Sequence, residues 1–161
     1  MSAGSDLDET GLAALGARLA AELRVGDIVA LSGDLGAGKT TLARAMLMAL
    51  GHEGDVPSPT FGLVQPYPHL SPPVWHVDLY RLEGPAEAEA LGLDDALETA
   101  ALLVEWPERL GGRLWPEALQ LRIEGAGEAR RSLTWVVPAA WKGRWPPEPE
   151  AADGSRNTRP S

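Results

Sequence analysis

The chain has 161 residues, near the length of one domain, and its 14 basic and 23 acidic residues give a net charge of −9. With 44% hydrophobic residues it can bury one core and is not a wholly disordered chain; with no cysteine it has no disulfide scaffold, thiol nucleophile or thiolate metal site. The acidic balance opposes a nonspecific grip on nucleic-acid phosphates, since Arg130–Arg131 is the only adjacent basic pair and Lys39 and Lys142 are the only lysines.

Met1 to Glu9 carries Asp6, Asp8 and Glu9 and no basic residue, the reverse of a secretory signal. Residues 1–8 are polar and are expected to fray. Leu12, Leu15, Leu19 and Leu23 recur at spacings of three and four, which predicts an amphipathic helix with Thr10 as N-cap. Ile28–Ser32 is a short apolar run between glycines and reads as a buried strand. Gly33–Gly38 is a glycine-rich loop, and Thr40–Leu50 reads as a helix stopped by Gly51.

The stretch from Val56 to Val77 has no Asp, Glu, Lys or Arg, but its six prolines exclude a membrane-spanning helix. No membrane association is expected, and the absence of cysteine fits a cytoplasmic location. Phe61–Val64 and Val74–Val77 read as an antiparallel pair, the first at a sheet edge because of Pro66 and Pro68. Pro85–Leu97 predicts one or two short helices broken near Gly92. Ala101–Val104 is a further buried strand ending at Glu105, and Leu119–Ile123 with Leu133–Val137 form a last pair around Gly125–Gly127. Residues 1–137 are read as one domain, and the proline-rich residues 138–161 as a disordered tail.

Gly33-Asp34-Leu35-Gly36-Ala37-Gly38-Lys39-Thr40 fits G-x-x-x-x-G-K-[ST]. At this chain's own residue frequencies, about 0.002 chance matches are expected, and a strand precedes the loop while a helix follows it. Glycines let consecutive N–H groups turn inward around an anion, and the helix adds the positive end of its dipole. Lys39 supplies a point charge for the β- and γ-phosphates, and the Thr40 hydroxyl can ligate Mg²⁺. A metal-linked carboxylate is then needed at the end of a neighbouring strand. Asp78 and Glu105 both qualify, and spacing leaves both open. Thr60 lies in a proline-punctuated loop where a hydroxyl could sense the γ-phosphate, or simply cap a strand. His76 shares a strand face with Asp78 and reads as a core histidine bonded to a neighbour, while Trp106 adjoins Glu105 and could line the nucleotide site.

Guanine recognition by N-K-x-D is excluded, because the only asparagine is Asn157, so ATP is the expected nucleotide. A stand-alone small-molecule kinase is the alternative, but it needs an acceptor pocket and an arginine-rich lid, and the arginines here are scattered. A nucleotide-gated binding module without turnover is a third class.

Four motifs in order carry a resemblance: G-D-L-G-A-G-K-T-T at Gly33–Thr41, S-P-T-F at Ser58–Phe61, H-V-D-L-Y-R-L at His76–Leu82 and V-E-W-P-E at Val104–Glu108. Together they resemble the bacterial TsaE (YjeE) ATPases of tRNA threonylcarbamoyladenosine biosynthesis, over about residues 10–137. The resemblance implies an α/β P-loop nucleoside triphosphate hydrolase fold with a small mixed sheet flanked by helices. It implies slow, Mg²⁺-dependent ATP hydrolysis that assists the TsaD and TsaB proteins in modifying adenosine 37, with tRNA met only through that complex. It places nucleotide binding on Asp34, Leu35, Gly36, Ala37, Gly38, Lys39, Thr40, Thr41 and Trp106. Lys39, Thr60, Asp78 and Glu105 become the catalytic set, with Thr40, Glu105 and Asp78 for the metal. Between the two acids, Glu105 is favoured to act with Thr40.

Overall fold

A computed structural model describes residues 2–34, 38–56, 63–125 and 130–145. Its organising element is β2 (Ile28–Ser32), whose first four residues are all buried. A strand buried on both faces needs parallel neighbours and helices above and below. β2 has both: it pairs in parallel with β5 (Ala101–Glu105) on one side and β6 (Leu119–Glu124) on the other. β4 (Val74–Asp78) continues the parallel set beyond β5, and β3 (Val64–Tyr67) closes that edge antiparallel to β4. On the other side β7 (Arg131–Val136) runs antiparallel to β6. With β1 (Ser2–Leu7) the described residues form a sheet of seven strands in the order β1-β7-β6-β2-β5-β4-β3.

One face packs against α1 (Glu9–Glu22) and α2 (Lys39–Ala49), where Leu12, Leu19, Leu42 and Met46 meet Val29, Leu31, Leu103 and Leu121. The other face packs against α3 (Pro85–Ala90), α4 (Leu93–Ala96) and a 3₁₀ segment over Pro107–Arg113. None of the described helices is long and apolar enough to cross a membrane.

Most predicted elements stand where expected, including the break at Gly92, which lies between α3 and α4 with φ 71°. Four expectations change. The first segment is not frayed: Ser2–Leu7 forms β1, pairing with β7 from Ser2↔Val136 to Leu7↔Arg131. A backbone ladder on an otherwise open edge needs no apolar side chains, so polarity gave no sign of it. The N-cap of α1 is Asp8 rather than Thr10, its Oδ1 accepting from the Gly11 N–H at 2.8 Å. β3 begins at Val64 and contains Pro66, tolerable because among the described residues the strand lies at the sheet edge and Pro66 has no N–H to pair. Its expected first residues, Phe61 and Gly62, lie outside the described residues.

The fourth change moves the domain boundary. Residues 138–145 belong to the folded unit rather than to a tail: Ala139–Trp141 makes a 3₁₀ turn, and Trp141 is completely buried in the α1–α2 core. Arg144 is buried with it and bonded to Asp27. Residues 146–161 lie outside the described residues.

Candidate active site

Strands β2, β5 and β4 end together, which puts Leu31, Glu105 and Asp78 in one row across the sheet. The pleat turns this row toward the face that carries α2. The carboxyl ends of parallel strands leave a crevice there, where the chain climbs from strand to helix.

Gly33 opens the climb from β2 with φ 137°, and a Cβ there would collide with the Ile123 carbonyl oxygen of β6. Only glycine lets the chain pass so close to the neighbouring strand. Gly38 is the N-cap of α2 at φ 114°, and a Cβ there would stand 3.0 Å from the Leu12 methyl of α1. Leu35, Gly36 and Ala37 lie outside the described residues, as does Thr60.

Lys39 begins α2, yet it is only 4% exposed. Its Nζ donates to the carbonyl oxygens of Gly33 at 2.7 Å and Asp34 at 2.8 Å and lies 4.4 Å from the Trp106 ring centre. Burial holds the ammonium pKa below the ordinary lysine value, while the charges of Glu105, Glu108, Asp78 and Asp34 oppose the shift. Trp106 reaches this position because it takes the left-handed conformation, φ 60° and ψ 49°, at the turn out of β5. Its ring also meets Tyr80, with centroids 4.9 Å apart.

Thr40 Oγ1 donates to the Glu105 carboxylate, 3.2 Å from each oxygen. Glu105 is only 2% exposed, and its Oε2 also accepts from His76 Nε2 at 2.8 Å. Asp78 Oδ1 accepts from the Tyr80 N–H at 3.0 Å. Burial raises the Asp78 pKa and the neighbouring Glu105 charge adds to it; the Tyr80 N–H, His76 and Lys39 pull the other way.

These groups line a cleft of about 330 Å³. Gly38, Lys39, Thr40, Thr41, Asp78, Glu105 and Trp106 of the sequence-predicted set all reach it. Glu9, Leu12, Tyr80 and Arg131 line it too and were missed. Glu9 and Leu12 lie before the glycine loop in sequence, and only the packing of α1 against α2 brings them to it. Tyr80 had a signal, its place two residues after Asp78; Arg131 had one too, as half of the only basic pair.

A hydroxyl and two carboxylates form an all-oxygen donor set, which suits a hard cation such as Mg²⁺. Among the described residues no group of three or more His, Asp or Glu could hold a metal alone. A divalent ion here would complete its coordination with phosphate oxygens and water, the usual arrangement for Mg²⁺ beside a nucleotide.

Strand order and the likeness to a solved structure together define the class: the chain has the P-loop nucleoside triphosphatase fold, with a parallel sheet core extended by antiparallel edges. The solved structure of Bacillus subtilis YdiB is similar, with a TM-score of 0.74 at 28% identity, covering 89% of this chain and 91% of that one. The profile of the family described as threonylcarbamoyl adenosine biosynthesis protein TsaE matches residues 7–133, so the chain belongs to the TsaE family. Among relatives named tRNA threonylcarbamoyladenosine biosynthesis protein TsaE, that of Streptomyces coelicolor is 45% identical over 135 residues, 81% of this chain and 91% of the relative. That of Bacillus subtilis is 40% identical over 119 residues, 73% of this chain and 74% of the relative.

Proposed function

We propose that the protein binds ATP with Mg²⁺ in this cleft, hydrolyses it slowly alone, and acts on the TsaD–TsaB complex during threonylcarbamoylation of tRNA adenosine 37. The single observation that carries the reading is the contact of Thr40 with Glu105 beside the buried Lys39 ammonium. A hydroxyl, an acid and an ammonium thus share one cleft, which supports a role in phosphoryl transfer.

Each residue then has a task. The loop amides and the α2 N-terminus receive the phosphates. Lys39 exchanges its carbonyl partners on Gly33 and Asp34 for β- and γ-phosphate oxygens. Glu105 accepts a hydrogen bond from the Thr40 hydroxyl, which leaves the hydroxyl lone pairs for the metal. Mg²⁺ would neutralise charge on the β- and γ-phosphates. Asp78, held beside Glu105, orients the attacking water or its proton. Thr60 is assigned the γ-phosphate-sensing role and Trp106 the wall beside the phosphates. ATP is preferred because no N-K-x-D sequence exists to read guanine.

The family name supports the tRNA pathway, and the net charge of −9 supports contact with tRNA through protein partners rather than directly. A cytoplasmic location follows from that task. ATP hydrolysis by the purified chain, with and without the matching TsaD–TsaB pair, tests the reading. Stimulation by the pair supports it. A rate indifferent to the pair overturns the partner assignment, and stimulation by a metabolite alone would favour a small-molecule kinase.

A further inference from the structure

His76 is the one fully buried histidine of the described residues. It lies on β4 two residues before Asp78, on the same face of the sheet, and its register partner on β5 is Leu103. Glu105 is therefore its diagonal neighbour, one pleat nearer the cleft. Glu105 has Asp78 directly beside it and His76 behind it, and it bonds the histidine, at 2.8 Å from Nε2 to Oε2.

That bond fixes which ring nitrogen donates. A carboxylate oxygen accepts, so Nε2 carries the hydrogen and donates it. Nδ1 is buried and has no partner among the described residues. A polar ring in an apolar strand destabilises the fold unless its hydrogen-bonding groups are met, and here one of the two is not. A leucine would fill an interior position between Val74 and Leu103 without that penalty. The histidine is thus poorly explained by stability. Among the described residues its ring bonds to the acid that holds Thr40.

We propose that His76 is a positioning residue for the cleft: its Nε2–H holds the Glu105 carboxylate in the orientation that meets Thr40. The proposal rests on reading the cleft as a Mg–ATP site. The Glu105 side chain has three rotatable bonds, and free of a second anchor it could swing toward Lys39, which would pull Thr40 and any metal out of line. With Oε2 fixed from behind by His76, the remaining lone pairs stay directed at Thr40 and the cleft. Partners that orient a metal-linked group in this way typically alter affinity or activity by roughly 10–100-fold when removed. His76 does not line the cleft, so it acts through Glu105 and not by contact with nucleotide.

Two substitutions separate positioning from packing. His76→Gln carries an N–H at nearly the distance of Nε2 from the backbone, whereas His76→Phe fills the space without a donor. Folding is checked by circular dichroism and thermal melting; if the phenylalanine variant fails to fold, His76→Asn, whose donor falls short of Glu105, replaces it. ADP affinity is measured by calorimetry in EDTA and again across a Mg²⁺ titration, and ATP turnover is measured with the partner pair. We expect ADP affinity in EDTA to stay within about threefold for every variant, since the phosphate loop is untouched. In the donor-less variant the Mg²⁺ concentration for half-maximal effect should rise roughly 10–100-fold and kcat should fall on the same scale. His76→Gln should recover most of both. Proton NMR adds a direct readout: the His76 Nε2–H resonance should move in Glu105→Gln. Folded donor-less variants with wild-type Mg²⁺ dependence overturn the proposal while the site reading stands; so does a glutamine variant as impaired as the phenylalanine one. A wild-type chain that binds no ADP at all overturns both.

Discussion

Asp78 and Glu105 are register partners on the adjacent parallel strands β4 and β5, so two carboxylates face one cleft side by side. The Glu105 charge disfavours ionisation of Asp78, and the buried Lys39 ammonium opposes that effect. The pair divides its contacts: Glu105 touches Thr40 and His76, while Asp78 accepts a backbone N–H from Tyr80. That difference sets the first two predictions.

Asp78 is held above the ordinary carboxyl range, chiefly by burial. The folded chain therefore binds the Asp78 proton more tightly than the unfolded chain does. The associated stability is fully present below the ordinary aspartate value and is lost as pH rises through the higher folded value. Asp78→Asn removes this dependence. Its melting temperature should exceed that of the wild type near neutral pH, and the gap should close as pH falls toward the ordinary aspartate range. Turnover should drop in the same variant. A melting temperature at neutral pH below wild type would show that Asp78 stabilises the fold instead.

Glu105→Ala should act differently. It removes the acceptor of Thr40 and leaves His76 Nε2–H unmet in the core. Turnover should fall by about 10²-fold or more, the scale of one lost electrostatic contact in a preorganised site. Mg²⁺-free nucleotide affinity should change far less. Steady-state hydrolysis beside calorimetric binding checks the split. Should Glu105→Ala hydrolyse ATP normally while Asp78→Ala is inactive, the two roles are reversed.

Lys39→Ala removes the ammonium that the loop carbonyls of Gly33 and Asp34 now hold. The expected loss in transition-state stabilisation is on the order of 2–4 kcal/mol. Nucleotide binding should weaken as well, because in the proposed complex the same charge meets the β- and γ-phosphates in the ground state. Comparing kcat/KM with ADP affinity separates the two effects.

The sequence was legible where chemistry forces residue type and order. The glycine loop needs glycines, a lysine and a hydroxyl at fixed spacing, and β2, α2, β4 and β5 carry apolar patterns with clear stops. The row of Glu105 and Asp78 was foreseeable as two strand ends; that they are neighbours depended on strand order, which local patterning does not encode. β1 escaped because backbone pairing on an edge is indifferent to polarity. Residues 138–145 escaped because Pro138 and the proline-rich composition that follows outweigh two tryptophans in a local reading, whereas in three dimensions Trp141 fills the core. Glu9 and Leu12 reach the cleft only through the contact of α1 with α2.

Gly33→Ala tests the turn out of β2. The added methyl would strike the Ile123 carbonyl oxygen, and φ 137° lies where side chains are strained. Backbone cannot yield there without parting β2 from β6. We expect lower stability and loss of nucleotide binding together, read by urea unfolding and calorimetry. An alanine variant that binds ADP like the wild type would contradict the close approach.

The segment after β7 gives the last prediction. Arg144 Nη1 and Nη2 donate to the two Asp27 carboxylate oxygens at 2.7 and 3.0 Å, and further bonds run to the carbonyl oxygens of Glu22 and Ala140. The guanidinium also lies 4.1 Å from the Trp141 ring centre. Arg144→Ala leaves Asp27 buried without its cation, which should destabilise the fold by roughly 3–5 kcal/mol. Trp141→Ala opens a core cavity and should cost a similar roughly 3–5 kcal/mol. Because the two side chains touch, the double variant should cost less than the sum. Arg144→Lys should recover little, since a single ammonium cannot span both carboxylate oxygens and stack on the indole. Neither residue lines the cleft, so ADP affinity of the folded protein should stay near wild type. Urea unfolding of the four variants reads the stabilities, and a loss below about 1 kcal/mol for Arg144→Ala would place this segment off the core.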